Sequence, residues 1–189
     1  MKNEYDAEKH EYKIDGVCVP SVTELLPVQN FFVSPERLEE TRQQGQDNHD
    51  KIRLYYDSGC QTFGDPFIEE YHALIEEHKA GFGFLMFNEK ILFSERYKFA
   101  GTPDTVYERA LIDLKRTKGD EKIHALQLAG YSLLLQENGY GKIKKWFIIY
   151  GLNGKLKIKN VFNPQAEQIF LALRKRYDLN QIVETYLKN

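Results

Sequence analysis

With 189 residues, the chain can bury one full hydrophobic core and is most simply a single domain. Apolar residues make up 42% and charged residues 29%, an ordinary balance for a soluble globular protein, and no apolar run approaches the length that spans a bilayer. Cys18 and Cys60 lack CxxC spacing, which argues against a disulfide framework, a structural zinc site and an iron–sulfur cluster.

The opening Met1-Lys2-Asn3-Glu4-Tyr5-Asp6 is too polar for a secretory signal, so the expected location is the cytoplasm. The net charge of −2 carries no global nucleic-acid signal. Cations are nevertheless grouped locally, as Lys115, Arg116, Lys118 and Lys122, as Lys142, Lys144 and Lys145, as Lys155, Lys157 and Lys159 at alternate positions, and as Arg174-Lys175-Arg176. Such patches suffice to hold a phosphate backbone, and they also fit ordinary solvated faces.

In chain order, His10 to Val19 predicts a hairpin turning at Asp15-Gly16. Ser21-Val-Thr-Glu24 is a capping box that opens a short helix ending near Pro27. Ser34-Pro35 begins a long helix to about Tyr56, and a second helix runs from about Pro66 to Lys79, closed by Gly81. Three strands follow, over 91–95, 98–107 and 111–115, the last two joined by the polar turn at Glu108-Arg109. A helix over 121–138 leads to strands over 145–150 and 155–159, joined by a turn at Asn153-Gly154. Asn163-Pro164 caps a C-terminal helix, with a second short one starting near Asp178. The order predicts one compact α/β domain over residues 1–189, without repeats or linkers.

The chemistry concentrates between Glu95 and Tyr131. Asp113 and Lys115 are two apart on a strand and leave one face, while Ile112 and Leu114 face the other way into packing. Asp104 lies on the preceding strand, after Gly101-Thr102-Pro103, where a proline marks a bend or strand end. If the two strands pair, Asp104 and Asp113 meet, and two such carboxylates repel unless a cation lies between them. Hard divalent ions prefer this oxygen chemistry. On its own, D-x-K reads first as an ordinary salt-bridged strand pair, with Asp113 and Lys115 exposed on one face.

Read together, Gly101-Thr-Pro-Asp104, Asp113-Leu-Lys115 and Gln127-Leu-Ala-Gly-Tyr131 resemble the PD-(D/E)XK nuclease superfamily. They are most similar to the branch of the RecB nuclease domain and lambda exonuclease, which carries Q-x-x-x-Y on the helix after the D-x-K strand. Gly45 and His49 match an upstream helical histidine of that branch, and residues 5–24 resemble the start of its phage-type exonucleases.

The resemblance implies a restriction-endonuclease-like core, a central mixed sheet flanked by helices. It implies that Asp104 and Asp113 bind the metal with the carbonyl of Leu114, that Lys115 is the catalytic lysine, and that His49 is a further ligand. Glu95 matches the acidic residue of the first core strand. Gln127 and Tyr131, with Arg116, are expected to contact DNA near the scissile phosphate. The implied cofactor is Mg²⁺ or Mn²⁺, the substrate DNA, and the partner a single-strand annealing or other recombination protein. The remaining histidines, His10, His72, His78 and His124, carry no partner pattern.

The expected reaction is phosphodiester hydrolysis by a metal-activated water in an exonuclease. Alternatives are a structure- or site-specific endonuclease of the same fold, or a DNA-binding module without catalysis. A carboxylate-pair glycosidase would need a raised carboxyl pKa, against which Lys115 beside Asp113 works.

Overall fold

The computed structural model describes residues 2–27, 35–116, 118–152 and 155–188. Ser34, expected to cap the first long helix, and the turn at Asn153-Gly154 lie outside the described residues. The chain opens with an antiparallel meander of β1 (Asn3–Asp6), β2 (Glu11–Ile14) and β3 (Val17–Val19). The β2–β3 turn is the expected one: Asp15 and Gly16 take φ of 51° and 79°, a region that short polar residues and glycine enter at least cost. Strand β1 carries no apolar alternation and is formed by pairing with β2 alone, Tyr5 opposite Tyr12.

The capping box closes as the sequence predicts, Ser21 N donating to Glu24 Oε2 at 2.6 Å and Glu24 N to Ser21 Oγ at 3.2 Å. The helix it should start does not propagate beyond a turn. Val22 N donates to the Ala100 carbonyl at 2.8 Å and Ala100 N to the Pro20 carbonyl at 3.0 Å, so tertiary pairing competes with the helical ladder for this backbone.

Two long helices follow, α1 (Pro35–Asp57) and α2 (Pro66–Phe82). Asp65 caps α2 by accepting from the amides of Phe67 and Ile68, with Pro66 at the first helical position. The expected stop at Gly81 moves to Gly83, at φ 81°, and the added turn carries Phe82 into the core.

Next come β4 (Leu85–Asn88), β5 (Leu92–Ser94), β6 (Phe99–Gly101), β7 (Thr105–Tyr107) and β8 (Leu111–Lys115). Strand β4 had no counterpart among the expected elements. The single strand expected over 98–107 is broken at Thr102-Pro103-Asp104, where β6 pairs with β5 and β7 joins the central sheet. Helix α3 (Glu121–Glu137), β9 (Trp146–Leu152), β10 (Lys155–Asn160) and α4 (Ala166–Lys188) complete the chain. The C-terminal segment is one helix, not two: Asp178 pairs with Arg174 one turn earlier instead of capping a new start.

The central sheet runs β10-β9-β8-β7-β4, with β8 and β9 parallel across α3 and the other pairs antiparallel. It is the expected mixed sheet flanked by helices. On one face Val106, Leu111, Trp146 and Ile148 pack against α3 and against Phe170 of α4. On the other, Tyr107, Ile112, Leu114 and Ile149 pack against Ile52 and Tyr55 of α1 and Ile68, Tyr71, Ile75 and Phe82 of α2. Burial on both faces fixes the strand positions and hence the side chains at the ends of β7 and β8. Among the described residues, no helix is long and apolar enough to cross a membrane.

Two helix-interior glycines differ in what they do. A Cβ at Gly130 would lie 2.7 Å from two ring carbons of the fully buried Phe170 and 2.9 Å from Val22, so this glycine lets α4 cross α3 closely. Among the described residues a Cβ at Gly45 would meet nothing within 4 Å, so the glycine of Gly45-x-x-x-His49 is not a close-packing residue against them. Urea titration should therefore find Gly130→Ala destabilised by about 1–2 kcal/mol, overpacking outweighing the gain in helix propensity. Gly45→Ala should gain up to about 1 kcal/mol.

Candidate metal and phosphodiester site

In the antiparallel β7–β8 pair, Thr105 stands opposite Ile112 and Val106 opposite Leu111. One further step of that register sets Asp104 opposite Asp113. Pro103 has no N–H to extend the ladder, and Asp104 turns its carboxylate onto β8, where Oδ2 accepts from Leu114 N at 2.7 Å. Asp113 is 1% exposed and shares the α3 face of the sheet with Lys115. Lys115 Nζ lies 2.6 Å from Asp113 Oδ2.

Helix α3 roofs this pair. Lys115 Nζ donates to Gln127 Oε1 at 2.8 Å, and Gln127 Nε2 donates to Asp113 Oδ1 and to the Tyr131 hydroxyl, both at 3.2 Å. Gln127 and Tyr131 are buried, so they clamp the acid–lysine pair from within. Gly101 of the Gly-Thr-Pro-Asp segment has a reason in this packing: a Cβ there would lie 3.0 Å from the Tyr131 ring and from Val22.

His49 of α1 approaches from the other side. Its Nδ1 is 3.2 Å from Glu89 Oε1 and its Nε2 is 3.9 Å from Asp104 Oδ2. Glu89 follows β4 at φ 48°, its amide bonded to the Asp104 carbonyl at 2.8 Å, with Arg53 3.4 Å from its other oxygen. A glutamate in the left-handed region is costly and persists where its surroundings impose it.

The structure thus brings together His49, Asp104, Asp113, Leu114, Lys115, Gln127 and Tyr131. It does not bring Glu95 to them. Glu95 accepts from Asn3 Nδ2 at 3.4 Å and lines a separate cleft with Phe93, Arg96, Glu137 and Asn138. The acidic residue of the upstream strand that reaches the site is Glu89, which sequence reading missed. No spacing marks it, since a polar turn after a strand reads alike whether it faces solvent or a site. Arg116 is exposed one residue beyond β8 and, with Lys115, lines a cleft of about 340 Å³ on the α1/α2 side. The other histidines are engaged elsewhere: His10 with Tyr5, His72 with Tyr55, His78 with the Leu74 carbonyl and His124 with the Lys118 carbonyl.

The electrostatics follow from this crowding. Burial and then the charge of Asp113 push the Asp104 carboxyl up to about 7, against the pull of His49, Lys115 and the Leu114 amide. Burial alone would lower His49, but the Glu89 hydrogen bond and the charges of Asp104, Glu89 and Asp113 outweigh it and lift the imidazole to about 9. Burial likewise opposes the charge of Lys115, and Asp113 and Asp104 overcome it, so the lysine is held above its ordinary value. Burial, with the two aspartates, keeps Tyr131 a neutral phenol.

The donor chemistry suits a hard divalent cation: carboxylates from Asp104, Asp113 and Glu89, the backbone at Leu114, and one imidazole. Asp113 Oδ2 is buried and, among the described residues, has the Lys115 ammonium 2.6 Å away but no hydrogen bond of ordinary geometry. Among the described residues no three His, Cys, Asp or Glu side chains are already gathered as a closed ligand set. The His49–Glu89 and Lys115–Asp113 pairs hold those groups instead, so a cation would have to replace a proton and part of the lysine's contact.

No protein-family model matches the sequence, and no curated protein matches it. Among solved structures, the chain is similar to a candidate exonuclease from Eubacterium rectale, at 14% identity and a TM-score of 0.45, over 72% of this chain and 65% of that one. It is also similar to a protein designated SSO0001, at 17% identity and a TM-score of 0.35, over 70% of this chain and 71% of that one. The chain therefore spans slightly less than two thirds of the first neighbour's length, and the functional reading rests on the geometry of the site itself.

Proposed function

We propose that this chain is a metal-dependent nuclease that hydrolyses phosphodiester bonds of DNA, acting from strand ends. Asp104 and Asp113 hold Mg²⁺ or Mn²⁺, assisted by the Leu114 carbonyl, His49 and Glu89, and Lys115 acts at the reacting phosphate. The observation that supports this reading is the convergence of the buried Asp113, the partly buried Asp104 and Lys115 at the ends of two paired strands. Carboxylates held close together repel one another, and perturbed groups of this kind cluster at functional sites.

When bound, the ion would polarise the phosphate and make water a better nucleophile. Lys115, held cationic by its two aspartates, places a positive charge where the phosphate gathers negative charge, and it can orient the attacking water by hydrogen bonding. It is not a general base, because it keeps its proton near neutral pH. Gln127 fixes the ammonium by a bond to its own carbonyl oxygen and fixes Asp113 by its amide. Gln127 and Tyr131, expected from the sequence to touch DNA, act in this reading by holding the groups that do. His49 is held protonated near neutral pH and would have to give up that proton to ligate an ion.

Three outcomes test the reading. Asp113→Asn and Lys115→Ala should each cut hydrolysis of labelled linear duplex by about a hundredfold or more, while Lys115→Ala keeps Mn²⁺ binding in isothermal titration. A wild-type rate in Asp113→Asn would sink the assignment, and equal cutting of circular and linear DNA would make the enzyme an endonuclease.

Metal binding must displace the protons of His49, held near 9, and of Asp104, held near 7. Mn²⁺ affinity should therefore rise with pH through both values, with proton release visible as a buffer-dependent heat, and His49→Ala should flatten the upper part of the rise.

For the metal-free protein, the folded Asp104 carboxyl at about 7 lies above an unfolded value of about 3.9. The folded state then binds more protons between those values, so this group makes stability fall as pH rises across the window. The value near 7 already includes the attraction of His49 and Lys115. Asp104→Asn should raise stability in EDTA by roughly 1–3 kcal/mol at about pH 8 and by less at about pH 5, as read by thermal denaturation.

A further inference from the structure

The cleft beside Lys115 has the form of a base-binding pocket, not of a surface that only neutralises phosphate. Its lining joins apolar Leu114, Leu156, Pro66 and Phe67 and the backbone of Gly151 to polar Asn48 and Glu70 and to the cations Lys115, Arg116 and Lys155. Gly151, paired with Leu156, adds no side chain to the lining, and a Cβ there would lie 3.2 Å from the Arg116 carbonyl. Phe67 is only partly covered and lines the cleft. Glu70 spends Oε1 on the Leu156 amide at 2.8 Å, which fixes its carboxylate in the lining as an acceptor. At about 340 Å³, the cleft is within the range of small-ligand sites.

Resting on the nuclease reading above, we propose that this cleft takes one unpaired nucleobase of the strand being cut, next to the phosphodiester at Lys115. The base stacks on Phe67, and Lys115, Arg116 and Lys155 hold its flanking phosphates. An aromatic wall with cations around the mouth is how sequence-tolerant single-strand sites are built, because every base has a face to stack and every nucleotide a phosphate to neutralise. Asn48 and Glu70, both in the lining, offer polar groups to a base edge, one able to donate and both able to accept. A base inside the cleft cannot remain paired, so the substrate at this site is a single strand or a frayed duplex end.

The test uses the whole protein with Ca²⁺ and two single-stranded oligonucleotides, one carrying 2-aminopurine beside the bond that is cut and one abasic at that position. The 2-aminopurine fluorescence should be quenched on binding, and the abasic strand should bind about tenfold more weakly, the size of one stacked base. Phe67→Ala should bring the two strands to equal affinity. The abasic comparison alters no residue, so a folding defect in Phe67→Ala cannot hide the answer. Equal affinity of both strands for the wild-type protein overturns the proposal. Hydrolysis of the same strands with Mg²⁺ separates the two readings. Cutting without base dependence overturns the pocket alone, and base-dependent binding without cutting overturns only the nuclease reading.

Discussion

Antiparallel pairing of β7 with β8 holds Asp104 against Asp113, and the surroundings of the site answer the repulsion between them. The register sets Val106 opposite Leu111 and Thr105 opposite Ile112, all buried, so core packing decides where the acids stand. Sliding β7 by one residue would turn Val106 and its neighbours from one face to the other. The core therefore keeps two like charges close at a cost that the free chain would avoid.

Three cations offset that cost in different ways. Lys115 pairs with Asp113 inside the roof made by Gln127 and Tyr131. His49 stands near Asp104 and is itself held by Glu89, whose other oxygen faces Arg53. Breaking such a partly buried network by removing one partner strands the other charge, so its members depend on one another more than single contacts suggest. The positive φ of Glu89 belongs to the same balance: the amide bond to Asp104 and the contacts of its carboxylate hold the turn in a conformation that a free glutamate would leave.

Rigid surroundings keep this arrangement from relaxing. The sheet is buried on both faces, and hydroxyls of Tyr56, Tyr71 and Tyr107 bond one another beneath α1 and α2, at 2.9 and 2.8 Å. Gly101 and Gly130 allow Tyr131 and Phe170 to sit where a larger residue would push α3 away. Moving α3 outward would release Gln127 from both Lys115 and Asp113. Packing far from the acids thus sets the chemistry of the cleft.

The sequence by itself determined most of the elements and the spacing of Asp113, Lys115, Gln127 and Tyr131, because these depend on local periods of two and about four residues. Proline at 103 and the cap residues at 65 and 66 act through their own backbones and are equally legible locally. Only the tertiary structure decided the rest. The capping box at Ser21 formed without its helix because Ala100 took the neighbouring backbone bonds. Asp178 stayed inside α4 because Arg174 was within reach of its carboxylate. Strand β4 and Glu89, and not Glu95, came to the site because β4 pairs with β7 at the sheet edge. The space at Gly45, empty among the described residues, likewise depends on what lies across from it, which no spacing in α1 records. Pairing partners far apart in sequence are chosen by the burial of whole faces, and that choice is a property of the folded sheet.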